Sequence, residues 1–504
     1  MKNIVRSLFV VTSFASFATL AACSLDSAKY GDAPAAPATP SSPAPGAAAD
    51  PMAPAPTPAA GMAIVRVIHA SADAPSVDVY AKGSSTPIVT ALSYGETSGW
   101  LDVPPGSYEF ELRAAPSKPS DPIAYKTSAL SITAGEKISA VAAGLLASQD
   151  SDSSFRVVPV VEGFGAAQPG SARLRVLHAG SDAPSVDLDV GNDDPATPEI
   201  AGLARFADTG AAGVALPAGT PLAIGIAAGG ARVTSFTTPK LADGANILVV
   251  ATGLLGKLAR ERSGFVLLAV GPNGSIGFVK QDPQLYALHA SPDAPRVDAF
   301  VGDSEIVDDV GFGELSKPIR VQPGSYIVDL FAHADGSARP STAPALSAET
   351  GALEAGERYL TVATGFLAGS GAQAIRLVGY RDGFALGSGK PQLRAVHASP
   401  DATEVDIGLA SASKIDPVLF AGLGFSKSSA DEGVGATVGH LPIGVTPAGF
   451  DSTLVARFTV PVSTDNRAFV LAAGALETQR GQGFRLLVVD TAPSRWTVTT
   501  VLPH

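Results

Sequence analysis

Residues 63–78 read Ala63-Ile64-Val65-Arg66-Val67-Ile68-His69-Ala70-Ser71-Ala72-Asp73-Ala74-Pro75-Ser76-Val77-Asp78, and this stretch decides the fold. Side chains alternate along an extended chain, so Val65, Val67 and His69 share one face while Ile64, Arg66 and Ile68 share the other. The Asp-Ala-Pro segment that follows is turn chemistry: a short carboxylate accepts nearby backbone N–H bonds, and proline fixes φ. Val77-Asp78-Val79-Tyr80 then begins a second alternating run. The phrase His-Ala-x-x-Asp-Ala-x-x-Val-Asp returns at His178, His289 and His397, at spacings of 109, 111 and 108 residues. A period that regular means four copies of one folding unit, each the size of a small β domain.

Each copy continues in the same order. An aromatic-led segment appears at Tyr94-Gly95, Phe206, Phe312-Gly313 and Gly424-Phe425, and a turn follows near Gly106, Gly219, Gly324 and Gly444. Tyr108, Phe110 and Leu112 then alternate with Glu109 and Glu111, as a half-buried strand does. An apolar run ends in Gly144, Gly253, Gly365 or Gly474, and a last strand closes the unit. The pattern gives about seven strands per copy and no helical period. The expected fold class is all-β: four tandem immunoglobulin-like antiparallel β-sandwich domains, preceded by a signal peptide and a disordered Ala/Pro-rich linker. A closed barrel is the competing architecture. The boundaries fall at 63–165, 172–277, 284–384 and 391–504, with linkers near 166–172, 271–283 and 383–391. Short linkers suggest an extended or gently curved rod whose first domain folds alone. Arg66, Arg175 and Arg394 mark the wetter face of the first, second and fourth opening strands, which turns the histidines inward.

The N-terminus has its own chemistry. Lys2 and Arg6 precede an apolar run over 8–22 that is too short to be a good membrane-spanning helix. It ends in Leu20-Ala21-Ala22-Cys23, which resembles the lipobox of bacterial lipoproteins, and Cys23 is the single cysteine of the chain. The resemblance implies that 1–22 is removed and Cys23 acylated, giving a membrane partner through an N-terminal lipid anchor. Ser24, where an inner-membrane lipoprotein would carry Asp, implies the outer membrane. The expected location is therefore the cell envelope, facing the periplasm or the exterior. Residues 23–62 are dominated by Ala, Pro, Ser and Gly and read as a disordered tether. Its reach is about 120 Å at roughly 3 Å per residue. With one cysteine, no intrachain disulfide supports the domains. The net charge of −12 and the lack of a basic cluster argue against a nucleic-acid partner.

The recurring His and Asp residues are the one constellation worth weighing: His69, Asp73, Asp78; His178, Asp182, Asp187; His289, Asp293, Asp298; and His397, Asp401, Asp406. Imidazole with carboxylates is a proper ligand set for a divalent ion. The structural alternative is favoured: the histidine ends a core strand and bonds the Asp turn, while the second Asp pins the next strand. The motif supplies only one histidine per domain, on an apolar face, which suits that role, and so does fourfold repetition. Two acidic groups, Asp187 with Asp189, Asp193 and Asp194, and Asp303 with Asp308 and Asp309, lack calcium-hand spacing and read as solvated loop acids. No nucleophile elbow, zinc-protease motif or paired-cysteine zinc pattern is present. Gly387-Ser388-Gly389-Lys390 is followed by Pro391, where a phosphate loop needs Ser or Thr, and so reads as a linker. No catalytic residue, metal or cofactor is expected.

The phrase His-Ala-Ser-x-Asp-Ala-Pro-x-Val-Asp, with Tyr94-Gly95-Glu96 and Pro104-Pro105-Gly106-Ser107-Tyr108 after it, resembles the bacterial domain-of-unknown-function family numbered 4397. The likeness covers nearly all of 63–490 and is strong in the first and third copies. The second copy carries Gly180-Ser181 where the pattern has Ser-Pro, and the fourth carries Thr403 in place of proline. The resemblance implies secreted or surface β-rich modules and brings no activity. The expected function is a surface-exposed lipoprotein with a structural, adhesive, or protein- or glycan-binding role and an envelope protein or glycan partner. The alternatives are a secreted hydrolase or carbohydrate-active module, or a metal-binding envelope protein using the His/Asp motif.

Overall fold

In the computed structural model, which describes residues 50–166, 168–191 and 197–504, every copy of the phrase joins two sheets. The signal segment, Cys23, the tether up to residue 49, Asp193 and Asp194 lie outside the described residues. In repeat 1 the opening strand Ala63–His69 sits in a sheet of order Leu101–Val103, Ala63–His69, Lys137–Ala143, Arg156–Val161. The turn after His69 carries the chain to the second sheet, ordered Val89–Leu92, Val77–Ala81, Phe110–Ala114, Tyr125–Lys126. The other three repeats reproduce both sheets, and each is a β-sandwich. One pairing per repeat is parallel, between the opening strand and the apolar strand that precedes the last, as from Ile64↔Lys137 to His69↔Ala142. The remaining paired strands run antiparallel.

The sandwich interior uses the inward parity of the sequence. Val67, Val77, Val79, Leu112 and Phe155 form part of the core of repeat 1, and His69 lies in step with Val65 and Val67. The opposite parity departs from expectation. Ala63–His69 is buried at every position, and Arg66 and Arg394 are 1% exposed. The reason is a second layer of packing. Ile68, Ala70, Val141, Ala143 and Val160 of repeat 1 meet Leu177, Ala179, Leu248, Val250, Leu268 and Val270 of repeat 2 in one cluster. Repeats 3 and 4 join likewise through Leu288, Ala290, Leu360, Val362, Val396, Ala398, Phe469 and Leu471. A sheet covered on both faces needs apolar residues on both, which is why strands such as Asn246–Thr252 and Arg467–Ala473 read as continuous apolar runs through their middles. The face marked as wet is thus an interface, and the rod expected from short linkers gives way, within each pair, to sandwiches stacked sheet on sheet.

The arginines earn their burial by bonding across that interface. Arg66 Nη1 donates to the Gly271 carbonyl of repeat 2 (2.8 Å) and Nη2 pairs with Glu162 (2.6 Å). In return Arg175 Nη1 donates to the Val161 carbonyl of repeat 1 (2.5 Å), with its other nitrogens on Asp208. Arg394 bonds the Arg381 carbonyl of repeat 3 in the same way. Thr252 adds a bond to the Ala70 carbonyl (2.5 Å), and Thr364 one to the Ala398 carbonyl (2.9 Å).

Two further readings change. The segment 271–283 is not all linker: Gly274–Val279 pairs with Val266–Gly271 as a fifth strand, and Thr497–Val501 does the same in repeat 4. The end of the expected tether is also seated. Asn273 N–H donates to the Pro51 carbonyl (3.0 Å), and Met52 packs on the core of repeat 2. One thioether that can fill an apolar mouth outweighs the Ala/Pro composition around it. No helix among the described residues is long and apolar enough to cross a membrane.

Candidate functional site

The motif histidines end their strands with the imidazole enclosed. His69, His178, His289 and His397 are each at most 2% exposed. In each, Nε2 lies 2.8–2.9 Å from the carbonyl six residues on, that of Pro75, Pro184, Pro295 or Thr403. A carbonyl only accepts, so Nε2 carries the proton. Nδ1 then accepts from the Gly180, Ser291 and Ser399 N–H groups at 3.3 Å in repeats 2 to 4. Burial holds all four imidazoles below the ordinary histidine pKa, more than the carbonyl bond raises them. These are neutral rings used as hydrogen-bonded spacers between strand and turn.

The first Asp of each phrase reaches a loop some 70 residues further along. Asp73 accepts the N–H groups of Leu146 (2.8 Å) and Ala147 (2.9 Å), one on each oxygen. Asp182 takes Leu255 and Gly256, Asp293 takes Leu367 and Ala368, and Asp401 takes Leu476 and Glu477. That loop begins at the glycine ending the apolar run. Gly144, Gly253, Gly365 and Gly474 have φ between +84° and +100°. A Cβ at any of them would stand 2.2–2.4 Å from a carbonyl oxygen of the neighbouring segment. Ser71 Oγ donates to the Gly144 carbonyl (2.7 Å) and Ser291 Oγ to that of Gly365 (2.6 Å), so the phrase closes on this loop twice.

The second Asp clamps a bulge. Asp78 Oδ1 accepts Ala91 N–H (2.7 Å), Asp187 that of Gly202 (2.7 Å), Asp298 that of Asp309 (2.9 Å) and Asp406 that of Gly422 (2.6 Å). Those four donors have φ of 51°, 64°, 50° and 63°, and strand register shifts beside each. Ala91 and Asp309 hold a left-handed conformation that costs a residue with a Cβ about 1 kcal/mol. The carboxylate fixes the amide that this geometry would leave unpaired. The other oxygen of Asp78 accepts Ser117 N–H and Oγ (both 2.7 Å). Burial pushes the Asp78 carboxyl up, but these bonds outweigh it and hold it below its usual value.

Twelve side chains that sequence reading grouped as one constellation therefore divide into three separate positions per repeat. His, first Asp and second Asp each serve a different piece of backbone. The structure also moves one assignment. Phe206 N–H donates to the His178 carbonyl (2.6 Å) as Gly95 N–H does to His69 (2.8 Å), so Phe206 holds the Gly95 place and Arg205 the aromatic one. Arg205 fills it by bonding the Ala183 carbonyl (2.7 Å). Sequence reading missed the role of the Ala after each His: Ala70, Ala179, Ala290 and Ala398 are at most 1% exposed in the inter-repeat cores. Their signal was small size at a fixed place opposite an apolar run.

The family model for "Domain of unknown function (DUF4397)" matches residues 63–189 and 283–408. Each match takes in one whole repeat and ends inside the strand Val186–Val190 or Val405–Ala410, just past the phrase of the next. No curated protein matches the chain. Among solved structures it is similar to the Bacillus anthracis TIE protein at 10% identity and a TM-score of 0.13, over 60% of this chain and 50% of that one. It is similar to the product complex of the multi-modular glycogen-degrading pneumococcal virulence factor SpuA, at 11% identity and a TM-score of 0.13. That likeness covers 78% of this chain and 37% of the other. The chain thus spans half the length of the first and just over a third of the second, and neither likeness bears on fold or function. Two family matches that open on Ala63 and Pro283, with the same clamps in all four repeats, place the chain in one family: it belongs to the domain-of-unknown-function family DUF4397.

Proposed function

We propose that this protein is a non-catalytic, envelope-anchored scaffold whose stacked β-sandwich repeats present loops to an envelope protein or glycan. One observation carries the reading: the motif imidazoles and carboxylates bond backbone amides and carbonyls, so the recurrent chemistry is committed to holding loops in place. A nucleophile or general base needs a reachable lone pair; these imidazoles are shut away from solvent, and in repeats 2 to 4 Nδ1 is also taken by a backbone N–H. Loops held on rigid sheets are a common setting for recognition. The lipobox at Cys23 supplies the anchor in this proposal, and the Ala/Pro segment the spacing from the lipid surface.

The anchor is tested by labelling cells with a radioactive fatty acid. Label should enter the wild type and be absent from Cys23→Ala; equal label in both removes the anchor. The binding role is tested by capture from intact envelopes and by a glycan array, with the full chain as bait. Turnover of glycan rather than retention would replace the scaffold reading with the hydrolase.

A further inference from the structure

Repeat 3 departs from repeats 1 and 4 at one place beside the second motif Asp. The residue whose N–H bonds the carbonyl two positions before that Asp is Ala115 in repeat 1 and Ala448 in repeat 4, but His333 in repeat 3. His333 Nδ1 lies 2.8 Å from Asp298 Oδ1. Asp308 Oδ1 is 3.9 Å from the same nitrogen, and Asp309 Oδ1 is 3.8 Å from Nε2. One ligand atom each from Asp298, Asp308 and His333 falls within 4.8 Å of the others. The Asp298 side chain is 2% exposed and that of Asp308 69%, which makes a buried floor and an open rim.

Glu305 supplies an independent sign. Its Oε1 is shielded from solvent and has no hydrogen-bond partner. Burial, then the charges of Asp308 and Asp298, push this carboxyl above its usual range, and His333 opposes them. The neighbouring cation, Arg296, is already engaged by Asp309 and Glu314. Asp298 and Asp308 beside one imidazole, with the charge of Glu305 acting on all three, is an arrangement that a bound cation relieves.

We propose that Asp298, Asp308 and His333 form a binding site for a divalent transition-metal ion, with Zn²⁺ as its representative. In the metal-free form a proton on Nδ1 bonds Asp298 and occupies the ion's place. On binding, Nδ1 gives up its proton, and the freed lone pair joins one oxygen each from Asp298 and Asp308 on the ion. Water completes the shell at the open rim formed by Asp308. Mixed nitrogen and oxygen ligands suit Zn²⁺, whereas Ca²⁺ takes six to eight oxygens. Asp298 keeps its bonds from the Asp309 and Ala334 N–H groups, which fix its orientation as a ligand.

The test is calorimetric titration of the full, untagged, chelator-stripped chain with Zn²⁺, with elemental analysis alongside. One equivalent should bind at pH 7.5, and binding should weaken as the pH falls towards 5.5, because the ion competes with a proton for Nδ1. His333→Ala and Asp308→Asn should each weaken it at least about a hundredfold, while Asp303→Asn, on the neighbouring exposed turn, should leave it unchanged. Asp308 is exposed, so its variant keeps the fold, as circular dichroism would verify. No binding by the wild type, or equal binding by both variants, overturns the proposal. So does Ca²⁺ binding that is indifferent to His333→Ala, since that is a carboxylate site without the imidazole.

Discussion

If the sheet faces between repeats are true cores, then truncating one side chain there should cost as much as truncating it inside a sandwich. Leu268 and Leu267 are adjacent on Val266–Gly271 and point to opposite faces. Leu268 is 0% exposed in the inter-repeat cluster, against Ile68, Val141 and Val160 of repeat 1, whereas Leu267 is 5% exposed in the core of repeat 2. Leu→Ala removes hydrocarbon worth about 2 kcal/mol of transfer free energy and leaves a cavity worth about another 1 kcal/mol. The expected loss is therefore about 3 kcal/mol at either position. For a unit of this size a urea m-value near 2–3 kcal/mol/M turns that loss into a midpoint shift of about 1 M.

The chain carries its own reporters. Its two tryptophans are Trp100 and Trp496. Trp100 Nε1 donates to the Pro272 carbonyl of repeat 2 (3.0 Å), with the Arg66 guanidinium 4.5 Å from its ring. Trp496 stacks on Tyr286 across the other joint at 4.6 Å. In a Trp496→Phe background, fluorescence follows the first pair alone. Leu268→Ala should lower its midpoint by about as much as Leu267→Ala does. A shift below about 0.2 M for Leu268→Ala beside a full shift for Leu267→Ala would mean that the face is wet and the repeats are separate beads, since surface changes stay within about 0.5 kcal/mol.

Other outcomes follow from the same contacts. Residues 63–165 alone expose the apolar face that repeat 2 covers, so they should self-associate on light scattering, whereas 50–279 should remain monomeric. Gly144→Ala forces a Cβ to 2.4 Å from the Ser154 carbonyl at φ +84°, and should cost more than about 2 kcal/mol in urea unfolding. Asp78→Ala orphans three donors, two on Ser117 and one on Ala91, for a loss of about 3 kcal/mol by the same measure. The four buried motif histidines have folded pKa values below the unfolded one. The unfolded chain therefore binds more protons below about pH 6.5, and stability should be full above that pH and fall as pH drops through it. Each histidine can contribute up to tenfold per pH unit in the unfolding equilibrium, until its folded pKa is reached. A urea midpoint that is flat from pH 7 to 5 would contradict their burial as neutral rings.

The phrase made much of this legible. Its spacing gives the number of repeats, and parity sets Val65, Val67 and His69 on the sandwich side. What parity could not give was the far side of the same strand. Arg66 at an alternating position looks like a solvent marker, because arginine is seldom buried. Here the guanidinium ends on the Gly271 carbonyl and Glu162, both supplied by segments distant in sequence. The uninterrupted apolar stretch at Ala468–Ala473 was the available sign of a sheet covered on both faces. The clamps were half legible. An Asp after a strand predicts a local turn bond, but Asp73 spends both oxygens on Leu146 and Ala147, a pairing set by tertiary closure rather than by neighbours in the chain. Met52 was hidden by composition, which averages over the one residue that docks.

Fourfold repetition of a reactive-looking phrase points away from chemistry at the phrase itself. Each copy meets the same backbone donors and acceptors, so selection on any one copy for a ligand would release a loop that the fold needs held. New chemistry can enter where a clamp is kept and a neighbour changes. Asp298 still holds the Asp309 and Ala334 amides, as Asp406 holds those of Gly422 and Gly449. The difference is His333, set beside an existing buried carboxylate at the cost of one alanine. A site made this way uses the rigidity of the clamp to orient a ligand without asking the clamp to move. The same logic directs a search of relatives in the family to the residue beside the second Asp rather than to the phrase.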